Sequence, residues 1–74
     1  MMSHEIGSNA GDVYSLLSQK GKLSIRKIGE LTYKQESVIF LALGWLLREN
    51  KIKITEQNGE LLSEISFTTS DMYY

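Results

Sequence analysis

An unbroken run of apolar residues, VIFLALGWLL at positions 38–47, constrains this chain more than any other feature. The run is too short to cross a bilayer, because a membrane-spanning helix needs about 20 apolar residues. A helix at a protein surface has one apolar stripe and one polar face, whereas a helix that is apolar all round is normally buried all round. Residues 38–47 therefore predict a central helix that either the rest of the chain or another molecule must cover.

The remaining composition is typical of a small globular domain that lacks covalent support. The chain has 74 residues and no cysteine, and it is 42% hydrophobic and 23% charged. This length is near the lower limit for independent folding, and no disulfide or thiolate metal site can compensate for a small core. Residues 1–5 lack the basic and apolar segments of a signal peptide, so we expect a cytoplasmic protein without a membrane segment.

Two helices are predicted before the apolar run. The first ends before Gly21, a residue that favours a helix stop. Ser24 is a suitable N-cap for a short second helix, and Leu23 and Ile28 occupy the positions of a hydrophobic staple. The first helix carries apolar side chains at helical spacing, at Ile6, Ala10, Val13 and Leu17. Both helices therefore have an apolar side that can pack against the run.

The third helix and a hairpin complete the pattern. We predict the helix from about Lys34 to Asn50, and Thr32 to Gln35 fits a capping box that would start it two residues earlier. After Asn50 apolar and polar residues alternate, which indicates a strand, and the Asn-Gly pair at 58–59 favours a two-residue hairpin turn.

Three helices followed by a β-hairpin indicate an α+β fold of the winged helix-turn-helix type. The second strand of the hairpin is predicted at residues 60–67, and a short additional strand is expected near residues 22–23. We assign residues 1–67 to this domain and expect residues 68–74, which show no periodicity, to form a flexible tail.

Two stretches, IGSNAGDVYSLL and LALGWLLRENKI, resemble a family of small bacterial and archaeal winged helix-turn-helix proteins of unknown function. Tyr14 departs from the family pattern, where tryptophan is expected, but both are large amphipathic aromatic residues. The resemblance implies the fold and brings no known substrate, partner or DNA site. The matching residues are Ile6, Gly7, Ala10 and Gly11, then Ala42, Leu43, Gly44, Trp45 and Leu46, then Arg48, Glu49, Lys51 and Ile52.

The apolar run has two apolar faces when it is drawn at 100° per residue. One face is predicted to pack against the first two helices, and the opposite face is predicted to contact another molecule. The predicted core comprises Ile6, Ala10, Val13, Leu17, Ile28, Val38, Leu41, Ala42 and Trp45. The predicted interface comprises Ile39, Phe40, Leu43, Gly44 and Leu47.

The leading functional hypothesis is therefore a non-enzymatic module that acts through protein–protein association in a regulatory role. A homodimer is the first expectation, and a different protein partner is the second, because a small chain with this much apolar surface gains stability by associating. The competing structural interpretation is that the hairpin covers the second face. Its apolar residues are Ile52, Ile54, Leu61, Ile65 and Phe67.

A DNA-binding transcriptional regulator is the alternative function, since base contacts in this fold concentrate at the start of the third helix. The net charge of −1 argues against it, as do Glu36 in the same helical turn and Glu56 and Glu60 beside the hairpin tip. Nucleic acid is thus a possible but not a favoured partner. The candidate DNA contacts are Arg26, Lys27, Lys34, Gln35, Ser37 and Lys53.

Nothing in the sequence predicts an enzyme or a cofactor. His4 is the only histidine, and it lies at the N-terminus without a predicted partner to orient it. The acidic residues do not fall at metal-ligand spacing with a histidine or a cysteine. We therefore expect no catalytic residue, no metal site and no cofactor.

Overall fold

The computed structural model describes the backbone of residues 2–66 and the side chains of residues 7–66. Three helices surround a core that is closed by a three-stranded antiparallel sheet with strand order β1-β3-β2. The predicted winged helix-turn-helix fold is confirmed, whereas the side chains of Ile6 and Phe67 and the predicted tail at 68–74 lie outside the described residues. In chain order the elements are α1 (Met2–Lys20), β1 (Leu23–Ser24), α2 (Ile25–Thr32), α3 (Glu36–Arg48), β2 (Ile52–Gln57) and β3 (Glu60–Ile65).

The hairpin forms because its two turn residues both accept positive φ. Asn58 has φ 53° and Gly59 has φ 79°, the backbone that a two-residue type I′ turn requires. The turn sets the register in which Gln57 pairs with Glu60, and β3 becomes the middle strand. Ser63 of β3 pairs with Leu23 on one side and Ile54 on the other, so the predicted short strand before α2 is present and completes the sheet.

The second helix is defined by local hydrogen bonds at both ends. Ser24 is its N-cap, as predicted, and the Ser24 hydroxyl accepts a hydrogen bond from the Lys27 backbone N–H at 3.0 Å. At the other end Tyr33 adopts a left-handed conformation with φ 61°, and its N–H donates to the Gly29 carbonyl at 2.9 Å. A left-handed residue stops a helix because it turns the chain away from the helix axis.

This turn overturns the predicted capping box for α3. Thr32 belongs to α2, and its hydroxyl donates to the Ile28 carbonyl at 2.7 Å and accepts from the Lys34 backbone N–H at 3.3 Å. The N-cap of α3 is instead Gln35, whose side chain makes no capping hydrogen bond, so the helix begins at Glu36. The prediction was wrong because the Thr32 hydroxyl hydrogen-bonds within α2, to the Ile28 carbonyl, and does not cap α3.

The C-terminus of α3 has the hydrogen bonds of a Schellman motif. Asn50 takes the left-handed position with φ 60°, and its N–H donates to the Leu47 carbonyl at 3.0 Å. The N–H of Lys51 donates to the Leu46 carbonyl at 2.9 Å. Asparagine tolerates this conformation better than most residues other than glycine, so α3 ends two residues earlier than predicted and the chain turns directly into β2.

The core is built around one side of α3. The buried residues of α3 follow helical spacing and therefore form one stripe, made of Ile39, Ala42, Leu43 and Leu46. The element that packs most extensively against this helix is α1. Ile52 at the start of β2 is buried in the same core. The buried hydrophobic residues are Ala10, Val13, Leu17, Ile25, Ile28, Ile39, Ala42, Leu43, Leu46 and Ile52.

The predicted phase of α3 must be corrected. Leu41 was assigned to the core, but its side chain is 47% exposed. Val38 and Trp45 lie at the margin and are half-buried, with Trp45 packed against the core. Because residues 38–47 are apolar on every side, their periodicity does not identify the inward face. The positions of α1, α2 and the hairpin decide it instead.

Replacing Tyr33 with glycine is expected to raise the free energy of unfolding by about 1 kcal/mol. The gain arises because glycine adopts positive φ without the steric cost of a β-carbon, and the tyrosine side chain, 93% exposed, has little packing to lose. Urea unfolding measures the change. Gln35→Gly is the matched control, since Gln35 has φ −68° and glycine there only increases the entropy of the unfolded chain. An unchanged or lower urea midpoint for Tyr33→Gly would contradict the expectation.

Candidate interaction surface on the third helix

Large apolar side chains remain exposed along the outer side of α3. Phe40 is 44% exposed, Leu41 47% and Leu47 42%, and Gly44 lies exposed between them. We call these four residues the α3 stripe. At 100° per residue they span about 120° of the helix surface, which is the width of a stripe that normally faces a core. The outer side of α3 therefore has the character of a packing surface without a packing partner in the described chain.

The predicted interface is thus only partly in the right place. Phe40, Gly44 and Leu47 are exposed, as the interface hypothesis requires. Ile39 and Leu43 are each 1% exposed, so their assignment to an interface is wrong and both belong to the core. The error has the same origin as the misplacement of Leu41, namely a rotation of the helix that an all-apolar segment does not reveal.

Gly44 is not required by packing within the part of the chain that the structure describes. Among those residues, a β-carbon built at this position would have no atom within 4 Å beyond its own helix backbone and its chain neighbours. Glycine in the middle of a helix costs about 0.5–1 kcal/mol relative to alanine. This cost has no compensation within the described fold, and the missing side chain leaves a place where the backbone of another molecule could approach closely.

The hairpin does not cover the α3 stripe in the part of the chain that the structure describes. Ile52 is buried, and Ile54 and Ile65 are half-buried and pack against the core. Leu61, near the hairpin tip, is itself 39% exposed. The apolar residues of the wing therefore close the core, and the described strands leave the outer side of α3 open.

Most of the candidate DNA-contacting cations are already paired with acidic side chains. The guanidinium of Arg26 lies 3.2 Å from the Glu60 carboxylate. The ammonium of Lys27 lies 3.7 Å from the Glu30 carboxylate, and the ammonium of Lys53 lies at the same distance from the Glu64 carboxylate. Such exposed pairs contribute little to stability, but they reduce the positive potential that a phosphate would meet.

Lys34, in the turn before α3, is bound to residues of α1 and is not a free cation. Its ammonium donates to the Asn9 amide oxygen at 2.8 Å and lies 3.1 Å from the Asp12 carboxylate. These two contacts link the turn before α3 to α1, and the Lys34 side chain is only 19% exposed. Of the candidate DNA contacts, Gln35 and Ser37 are exposed and take part in none of these ion pairs, and Glu36 lies between them in the sequence.

The described residues show no arrangement suited to metal binding. Among them, no group of three or more histidine, cysteine, aspartate or glutamate side chains is close enough to hold a metal ion. His4 belongs to the first helix, but its side chain lies outside the described residues. None of the helices, over the part of the chain that is described, is long and apolar enough to cross a membrane.

Comparison with known proteins agrees with this architecture. A family model described as a winged helix-turn-helix domain (DUF2582) matches residues 1–64. The uncharacterized protein MJ1608 of Methanocaldococcus jannaschii is 33% identical over 57 residues, which cover 73% of this chain and 80% of that protein. The solution NMR structure of protein BT2368 from Bacteroides thetaiotaomicron is similar with a TM-score of 0.85 and 30% identity, over 100% of this chain and 89% of that chain. The chain therefore belongs to the winged helix-turn-helix domain family DUF2582, as its Gly-Trp segment suggested.

Proposed function

We propose that this domain acts through protein–protein association, in a regulatory role, and that it forms a homodimer through the α3 stripe. One observation carries the proposal: Phe40, Leu41 and Leu47 are exposed on the helix that would enter the DNA groove in a DNA-reading member of this fold class. A DNA-reading helix needs polar and basic side chains on this side. An apolar side is suited to another protein surface.

The energetics favour covering the stripe. Complete burial of a leucine or phenylalanine contributes about 1.5–3 kcal/mol, and each of these three side chains is a little under half exposed. Burying the exposed parts would contribute roughly 2–4 kcal/mol per copy. That is a considerable fraction of the ~5–15 kcal/mol by which a small domain is stable, so association would benefit a chain of this size.

A second copy is the partner that the stripe fits best. Gly44 lies near its middle, with Phe40 on the N-terminal side and Leu47 on the C-terminal side. When two copies of α3 cross antiparallel about a two-fold axis at Gly44, the Phe40 side chain of each copy lies beside Leu47 of the other. A two-fold interface of this kind uses the same patch on both subunits, and it is the most common way in which soluble proteins form dimers.

The charges at the two ends of α3 favour the same antiparallel arrangement. Glu36 is in the first turn of the helix and Arg48 is in the last turn. In an antiparallel pair Glu36 of one helix lies on the same side of the axis as Arg48 of the other, and the helix dipoles are opposed favourably. A parallel pair would place like charges together at both ends.

Replacing Leu47 with glutamate is expected to convert the dimer into a folded monomer, because it places a charge within the apolar contact. Light scattering should give twice the 8.4 kDa chain mass for the unmodified protein and the single mass for Leu47→Glu. Leu31→Glu is the matched control, since Leu31 lies on α2 and is 40% exposed, close to the 42% of Leu47. Leu43 is unsuitable for this test because it is buried.

The dimer is expected to be insensitive to salt, and circular dichroism would establish that both variants remain folded. A monomeric unmodified protein at high concentration would refute the homodimer. Equal dissociation by both substitutions would refute the location of the interface on α3.

A cysteine at position 44 tests the antiparallel geometry separately. The chain has no cysteine, so Gly44→Cys introduces a single thiol. A disulfide needs Cα atoms about 4.4–6.8 Å apart, and two copies meet this requirement at Gly44 only if the axis passes close to it. Mild oxidation is expected to cross-link Gly44→Cys into a covalent dimer, with much less product from Ser18→Cys on the exposed side of α1. Equal yields would contradict the proposed axis.

DNA-binding transcriptional regulation is the second candidate, and the exposure of Gln35 and Ser37 at the start of α3 favours it. From the paired cations we expect no salt-dependent binding when a labelled DNA duplex is titrated at low ionic strength and followed by fluorescence anisotropy. Binding that falls with salt, and that weakens when both Gln35 and Ser37 become alanine, would contradict this expectation and support the regulator.

A further inference from the structure

A hollow of about 280 Å³ lies between the second half of α1 and the end of β3. A cavity of about 150 Å³ already accommodates a benzene ring, so the hollow has room for one aromatic side chain. Tyr14 and Ile65 border it, and both pack against the core but are only half-buried. In the described part of the chain the rest of its lining comes from α1, the turn after α1 and β3, at Leu17, Ser18, Gly21, Lys22 and Glu64.

The third strand leads the chain directly to this hollow. Glu64 and Ile65 end β3 and line the hollow. The next residue, Ser66, is still held to the sheet, because its N–H donates to the Lys51 carbonyl at 2.9 Å. The ammonium of the same lysine lies 5.9 Å from the centre of the Tyr14 ring. The chain therefore reaches the end of the sheet beside an α1 residue that borders the hollow.

The alternation of the strand sets the direction in which the next side chain starts. Successive side chains of a strand point to opposite faces, and Ser63 and Ile65 share the face that packs on the core. The hydrogen bond of Ser66 keeps the chain in the ladder one residue beyond Ile65. Continued for one more residue, the alternation starts the side chain of residue 67 on the face of Ile65, next to the hollow. Residue 67 is a phenylalanine.

The hollow is suited to a segment of the same chain more than to a separate molecule. A separate molecule loses translational and rotational freedom when it binds. Phe67 follows directly after Ser66, which is already fixed to the sheet, so closing the connection costs very little entropy. Burial of the ring would also remove the accessible parts of Tyr14 and Ile65 from water.

We propose that the Phe67 ring occupies this hollow and anchors the segment 67–74 on α1. The ring would pack against Tyr14, Leu17 and Ile65 and close the core between α1 and β3. Phe67 would then be unavailable to cover the α3 stripe, which is the role that the competing structural interpretation gives to the apolar residues of the hairpin. The proposal does not depend on the homodimer, because the described residues that line the hollow lie outside α3.

Nuclear Overhauser contacts in the full-length, ¹³C-labelled protein test the position of the ring. The chain has two phenylalanines, so a Phe67→Leu sample identifies the signals of the Phe67 ring by their loss. These ring protons are expected to show contacts to the Leu17 methyl groups and to the Tyr14 ring. The same contacts are expected in Leu47→Glu, so the result is independent of association.

Two outcomes of this measurement would overturn the proposal. Contacts from the Phe67 ring to Phe40 or to the Leu47 methyl groups would place the segment on the α3 stripe. A ring without contacts to α1 would show that the hollow is not its binding place. Neither outcome changes the mass that light scattering measures, so failure of the anchor and failure of the dimer are distinguishable.

Urea unfolding tests whether the anchor contributes to stability. Phe67→Ala is expected to raise the equilibrium constant of unfolding by roughly tenfold or more, because it removes an apolar ring from the hollow. Thr68→Ala is the matched control, since the alternation directs residue 68 to the opposite face, and its effect should stay within about threefold. Equal effects of the two substitutions, or no effect of Phe67→Ala, would contradict the proposal.

Discussion

The burial of one side of α3 is the interaction on which the rest of the structure depends. Ile39, Leu43 and Leu46 each place a large apolar side chain in the core, and α1, α2 and β2 all contact this helix. At about 1.5–3 kcal/mol for each such side chain, the inner side of α3 supplies a large part of the stability available to a domain of 74 residues. The remaining elements take their positions by covering it.

The same burial explains why the outer side of the helix is open. A helix pressed against α1 and the hairpin on one side must turn its opposite side outward, and here that side carries Phe40, Leu41 and Leu47. The paired cations, together with Glu36, which has no ion-pair partner among the described residues, make the neighbouring surface a poor match for phosphate. A fold class that is used widely for DNA recognition thus presents, in this chain, an apolar helix side bordered by carboxylates. Fold by itself does not specify function, and the surface chemistry favours a protein partner.

The turn between α2 and α3 connects the core to the surface. Gly29 permits the close crossing with Ile39, and Tyr33 in a left-handed conformation ends α2 and directs the chain into α3. A bulky residue with positive φ carries a steric cost, which the surrounding packing must offset. Lys34 helps to hold this turn through its contacts with Asn9 and Asp12 of α1. The close crossing of α2 and α3 therefore depends on these local contacts.

The sequence by itself determined the order and type of the elements, because those depend on local chemistry. The Ser24 cap, the Asn58-Gly59 turn and the alternation at Ile52 and Ile54 each act within a few residues, and the predicted architecture followed from them. The apolar run also identified α3 as the helix that carries the candidate surface. Only the tertiary structure decided which side of α3 faces inward, so that Leu43 is buried and Leu41 is exposed. Hydrophobicity is not directional, and a helix that is apolar on every side acquires an inside and an outside only when other elements pack against it.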